Sequence, residues 1–148
     1  YRVEEEVAVG TFVGDVLKDS GLLQKYEQKT LALLEFLVVP REVPYFSVGE
    51  TDGVVRTKNR IDRDAGVPGC REKLLCEIKI DVAIKPTRYF EIFRLVIEVI
   101  DVNDNSPSFK QSSHYLSLAE SVAVGSLYPL PTASDPDSPV HGVQRYAL

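Results

Sequence analysis

The stretch from Asp101 to Phe109, Asp-Val-Asn-Asp-Asn-Ser-Pro-Ser-Phe, constrains what this chain can fold into more than any other. Acidic and amide side chains alternate there with backbone carbonyls, the oxygen-rich composition that a hard cation such as Ca²⁺ prefers. Pro107 lacks an N–H and fixes φ, so neither a sheet nor a helix continues through it. A linker stiffened by a metal ion is one reading; a polar turn whose side chains bond their own backbone is the other. An EF-hand is excluded, because counting from Asp101 puts Ser106 where glycine is needed and Ser112 where the bidentate glutamate belongs.

The rest of the chain limits the partners. A net charge of −5 leaves no basic face for phosphate, which argues against nucleic acid. No apolar run approaches the ~20 residues of a membrane span, and no signal peptide opens the sequence, so an anchor or targeting signal would lie outside it. Cys70 and Cys76 are too far apart for a redox CxxC and have no nearby histidine for zinc. A small local disulfide formed in an oxidising compartment is the first reading of the pair; two buried free thiols are the alternative. No Asn-x-Ser/Thr sequon accompanies it.

Hydropathy patterning indicates strands. Cys76, Ile78, Ile80, Val82 and Ile84 alternate with Glu77, Lys79 and Asp81, a period of two that needs a second sheet over its apolar face. Leu95, Ile97 and Val99 repeat the pattern and run directly into Asp101. Shorter strands are expected at Tyr1–Val3, Gly10–Leu17, Leu31–Val39, Tyr45–Val48 and Gly53–Thr57, with a helical turn within Lys18–Thr30. Seven short strands in about a hundred residues predict an all-β, antiparallel sandwich. After Phe109 the pattern restarts: Glu120-Ser-Val-Ala-Val-Gly125 repeats Glu5-Glu-Val-Ala-Val-Gly10 at the same spacing. Two tandem modules follow, 1–106 with the linker and 107–148 as the opening part of a second.

With these residues in view the chain resembles the cadherin superfamily, and within it the N-terminal end of a protocadherin. Asp101–Phe109 looks like the signature between repeats, Ile61-Asp-Arg-Asp64 like the family's Asp-Arg-Glu element, and Ser134-Asp-Pro-Asp137 like its Asp-x-Asp element. Tyr1-Arg-Val-Glu-Glu-Glu, Gly10-Thr-Phe-Val-Gly14 and the Cys70-x5-Cys76 loop are similar to protocadherin first repeats. The resemblance implies a seven-stranded Greek-key sandwich, immunoglobulin-like in architecture, followed by an incomplete second repeat. It implies Ca²⁺ as cofactor. Glu5, Asp62, Asp64 and Asp104 would hold two adjacent ions with the Val102 carbonyl, and Asp137 would reach the inner one. A third ion would take Asn103, the Asn105 carbonyl, Asp135, Asp137 and a carbonyl from His141. Glu5 is preferred over Glu4 and Glu6 because its spacing to Gly10 equals that of Glu120 to Gly125. So many carboxylates cannot lie close together without a cation.

Departures from the family pattern matter as well. Asp64 stands where glutamate is usual, and His141 where asparagine is usual. Asp15-Val-Leu-Lys-Asp-Ser replaces any Asp-x-Asp pair in the first module, which points to a membrane-distal position. The chain has no tryptophan, so strand exchange anchored by that residue is not expected. The implied function is Ca²⁺-dependent cell–cell adhesion by a single-pass type I protein at the extracellular face of the plasma membrane. Its partner would be another cadherin-type ectodomain, in homophilic recognition. A Ca²⁺-stiffened spacer or heterophilic tether is the alternative. An enzyme using Asp62 and Asp64 as an acid pair lacks a nucleophile, a histidine dyad or a phosphate loop. The Cys70–Cys76 loop is expected to shape the tip surface rather than the core.

Overall fold

A computed structural model describes residues 1–147. Strands β1 (Arg2–Glu4), β2 (Phe12–Asp15), β3 (Glu35–Val39), β4 (Phe46–Val48), β5 (Val54–Thr57), β6 (Glu77–Lys85) and β7 (Ile92–Ile100) form two sheets. One has the order β1-β7-β6-β3 and the other β2-β5-β4. The chain changes sheet after β1, β2, β3 and β5 while β4–β5 and β6–β7 are hairpins, so the result is a β-sandwich with Greek-key connections. β1 runs parallel to β7, with Arg2 opposite Glu98.

The two long strands form the spine, as their alternation requires. Ile78, Ile80 and Val82 of β6 lie opposite Ile97, Leu95 and Phe93 of β7, which places one apolar stripe of each strand on the same face. That face packs on Phe36, Phe46, Val55 and Ile61 in one continuous core. Arg94, Val96 and Glu98 point the other way; Arg94 forms a two-pronged ion pair with Asp81, at 2.9 Å for each contact. Gly53 adopts φ +67 against Phe36, where a Cβ would come within 3.2 Å of both the Phe36 ring and the Leu17 amide. Both the turn and the packing therefore require glycine.

Two expectations for the first half are revised. Leu31–Val39 is not one strand, because Gln28–Leu31 is a helical turn (α3) and β3 starts only at Glu35. The helical turn expected within Lys18–Thr30 is the middle of three: α1 (Val16–Asp19), α2 (Leu22–Lys25) and α3. Asp15 caps α1 by accepting from the Lys18 amide at 3.1 Å, and Gly21 at φ +80 separates α1 from α2. Apolar content without alternation does not distinguish such turns from a strand. Leu34 is buried all the same, supplied to the core from a turn.

No strand occurs among the described residues 101–147; Ser108 and Ser134 form an isolated antiparallel bridge with N–H···O distances of 2.9 and 2.8 Å. Leu148, the end of the expected second module, lies outside the described residues. The internal repeat nevertheless has a structural counterpart. Gly10 and Gly125 both adopt φ +88, and the Thr11 and Ser126 amides donate to Ala8 and Ala123 at 3.2 Å each. Cys70 and Cys76 are disulfide-bonded and both buried in the core cluster. The loop expected to shape the tip surface rather than the core does expose residues 71–75, but its two cysteines belong to the core, because Cys76 immediately precedes β6, whose register faces its side chain inward.

Candidate metal centre

The carboxylates collect where β1, β7 and the segment after β5 end together. β1 stops at Glu4, and Glu5 and Glu6 then split between two partners: the Glu5 amide donates to Ile100 at 3.0 Å and the Glu6 amide to Ile61 at 2.8 Å. Glu6 has φ +61 and its side chain pairs with Arg60, while Glu4 is exposed. Glu5 alone of the three is buried. Its carboxylate accepts from the Arg63 amide at 2.6 Å and the Val102 amide at 3.0 Å, so it bridges the two segments that enter the site. Burial pushes this carboxyl up, against the pull of those two amides.

Asp62 and Asp64 flank Arg63, whose side chain is wholly buried. Asp62 caps its own turn by accepting from the Ala65 amide at 2.7 Å. Arg63 Nη1 donates to Asp64 at 2.8 Å and to Asp101 at 2.9 Å. One guanidinium does not neutralise this group: burial, then the charges of Glu5 and Asp101, push the Asp64 carboxyl up to about 6. Burial also pushes Asp101 up, but hydrogen bonds from Ser138 and contacts with His141 and Arg63 outweigh it and leave its carboxyl below the ordinary range.

The linker and the later segment close the site from below. The Asn105 side-chain amide donates to Asp137 at 2.7 Å, Asp104 at 2.8 Å and Asp64 at 3.2 Å, a single neutral donor shared among three carboxylates. Asp135 and Asp137 are buried; Asp135 Oδ1 accepts from the Asp137 amide at 3.1 Å, and Asp135 Oδ2 is buried with no hydrogen-bond partner among the described residues. An orphaned carboxylate oxygen is costly unless a cation or donor reaches it. Among the described residues, three sets place ligand oxygens within 4.8 Å of one another: Glu5–Glu6–Asp62, Glu5–Asp64–Asp101 and Asp64–Asp104–Asp137. The clusters could bind a metal, and an all-oxygen, carboxylate-rich donor set fits a hard divalent cation.

Glu5, Asp62, Asp64, Asp104 and Asp137 thus meet in overlapping groups, with Asn105 among them and Asp135 alongside. The Val102 carbonyl accepts from the Asp104 amide at 2.8 Å, Asn103 is exposed, and Asn105 contributes its side-chain amide rather than only its carbonyl. His141 contacts the site through its ring, with Nδ1 2.6 Å from Asp101 Oδ2. Asp101 itself was absent from the expected set, yet it is the hub that joins Arg63, the Ser138 amide at 3.1 Å and His141. The available signal was its place directly after one of the two long alternating strands, the point where β7 delivers the chain to the linker.

Residues 1–86 match the Cadherin-like family. Protocadherin-18 of Bos taurus is 33% identical over 150 residues, covering 100% of this chain and 13% of that protein. Protocadherin-11 X-linked of Homo sapiens is 32% identical over 151 residues, covering 100% of this chain and 11% of its own length. The chain therefore spans a small fraction of the length of these curated relatives. Among solved structures, Protocadherin Gamma C5 EC1-3 superposes with a TM-score of 0.79 at 31% identity, over 99% of this chain and 45% of that one. The matched residues carry the sandwich from β1 into β6, the solved relative extends the match through the linker, and the chain accordingly belongs to the cadherin-like family.

Proposed function

We propose that this chain is a calcium-dependent adhesion module of a protocadherin-like protein, with its first repeat at 1–106 and the start of a second at 107–148. The carrying observation is the junction itself: carboxylates from the first sandwich, the linker and the Asp135–Asp137 element converge on one guanidinium and one amide. Glu5, Asp62, Asp64 and Asp104 with the Val102 carbonyl would hold one pair of ions. Asn103, Asn105, Asp135, Asp137 and the His141 carbonyl would hold a third. Bound Ca²⁺ would supply the positive charge that these oxygens lack and so make the linker rigid. The chain's own part is to bring Glu5 to the Val102 amide and Asp101 to the Ser138 amide, which fixes where the linker enters and leaves. Family membership makes the protein an adhesion protein rather than an enzyme, so Asp62 and Asp64 are not a catalytic pair.

The protocadherin relatives support a place on the extracellular face of the plasma membrane, in a single-pass type I protein. None of the helices among the described residues is long and apolar enough to cross a membrane. The partner is another ectodomain of the same kind, recognised over several repeats. Thermal melting of the 148-residue chain in calcium and in chelator tests the cofactor, and identical curves would overturn it. Sedimentation of the chain and of an ectodomain of four or more repeats tests recognition. Calcium-dependent self-association is expected only of the longer protein. If the longer ectodomain stays monomeric in calcium, the protein is a heterophilic tether or spacer instead.

A further inference from the structure

The loop closed by Cys70 and Cys76 lies against the carboxylate cluster, and Arg63, the wholly buried cation of that cluster, ends on it. Its two ends are fixed to different parts of the sandwich. One end rests on turns stacked upon Asp62: the Gly66 and Val67 amides donate to the Asp62 carbonyl at 2.9 and 3.1 Å, and the Cys70 amide to Val67 at 3.2 Å. At the other end, the Cys76 carbonyl accepts from the Val99 amide at 2.8 Å, on the strand that leads to Asp101. The disulfide joins these two anchors. Inside the loop, the Lys73 amide donates back to Cys70 at 3.0 Å, and the Lys73 carbonyl accepts from Arg63 Nη2. The neighbouring Glu72 amide donates to the Pro136 carbonyl at 3.1 Å, between Asp135 and Asp137. Glu72 has φ +56, a conformation that a non-glycine residue keeps only when its surroundings hold it.

We infer that the Cys70–Cys76 loop is a clamp across the junction, which anchors Arg63 among the carboxylates and Pro136 against the first sandwich and thereby sets how readily the junction takes up cations. Arg63 can place Nη1 between Asp64 and Asp101 because Nη2 is tied to Lys73. A guanidinium held at both terminal nitrogens is a fixed charge with a fixed orientation. The Glu72–Pro136 bond holds Asp135 and Asp137 near Asp64 before any ion arrives, and such preorganisation lowers the ordering cost of binding. Without the clamp, both tasks fall to the linker contacts alone.

This inference rests on the cation reading of the cluster, and the first arm of its test does not need calcium. Amide hydrogen exchange is measured on the 148-residue chain in chelator, for the parent, for C70A/C76A, for R63K and for all three changes combined. In C70A/C76A the Glu72 and Ser138 amides should exchange ~10-fold faster, the scale of losing hydrogen bonds of which some involve charge. Val82 and Leu37, in the middle of β6 and β3, should keep their rates. R63K retains the disulfide and the charge but not the fork; it should accelerate the same two amides, and the combined variant should add little. Half-saturation by Ca²⁺ should rise ~10-fold in either variant. Parent rates at Ser138 in R63K, or effects that simply multiply in the combined variant, would overturn the clamp. Should C70A/C76A fail to fold, R63K decides alone. If no variant and no parent binds Ca²⁺, the metal reading fails and the exchange arm still judges the clamp.

Discussion

Glu5 and Glu120 open the same six-residue element, and the two copies form the same turn around Gly10 and Gly125, yet only Glu5 is buried. Val124 is fully exposed, and the rest of the Tyr115–Leu130 stretch around it is exposed as well, though less completely. The local turn is written into the element, since glycine at φ +88 and a hydroxyl side chain after it recur in both copies. What buries Glu5 comes from far away: the Arg63 amide, 58 residues along the chain, and the Val102 amide, 97 residues along it. A carboxylate becomes part of a site when remote donors converge on it, not when its own sequence context is right.

The sharpest way to widen this contrast is to remove the cation that the first region buries. Arg63→Met in chelator should destabilise the sandwich by about 3–5 kcal/mol, the cost of leaving Asp64 and Asp101 uncompensated. Urea denaturation measures it, and calcium should recover part of the loss. Calcium itself comes next: at a hundredfold excess over Kd it should stabilise the parent by about 2.7 kcal/mol. The same denaturation series in calcium and in chelator checks this. Glu5→Ala should cost about 2 kcal/mol, because two amides lose their buried acceptor. Glu120→Ala should stay within about 0.5 kcal/mol. Equal costs for the two would mean that remote donors do not set the two copies apart.

Within the first region, the smallest expected effect belongs to a contact that is itself local. Asp15 caps α1, and although burial raises its carboxyl, the Lys18 ammonium and amide outweigh this and hold it below the ordinary value. A depressed carboxyl contributes stability above its unfolded-state value and loses it as the pH falls through the folded-state value. Asp15→Ala should therefore cost about 1 kcal/mol at neutral pH. The gap between variant and parent should persist to the ordinary carboxylate range and close only below it, as the pH falls through the lowered folded-state value of Asp15. Parallel melting curves of the two proteins, taken from neutral pH down through that value, would show the gap closing.

Legibility divided along the same line between local and remote. Alternation in Glu77–Lys85 and Ile92–Ile100 belongs to the backbone period itself, so both strands and their inward faces could be read directly. Glu5 was selected from its triplet by an internal spacing, and the structure buries it while leaving Glu4 outside. The start of β3 was not legible, because Leu31 and Leu34 reach the core from turns and an apolar run does not reveal its conformation.

Sequence by itself determined the two long alternating strands, the stop at Pro107, the repeated turn and the concentration of carboxylate and amide oxygens in the linker. Each of these depends on residues close together in the chain, where φ preferences and the two-residue period act directly. Only the tertiary structure decided that Asp101 is the hub, that Arg63 is enclosed, that the His141 ring faces Asp101, and that the Cys70–Cys76 loop reaches Pro136. Those outcomes depend on which donor meets which oxygen once β1, β7 and the linker converge. Desolvation and charge are properties of that meeting, and no single segment carries them.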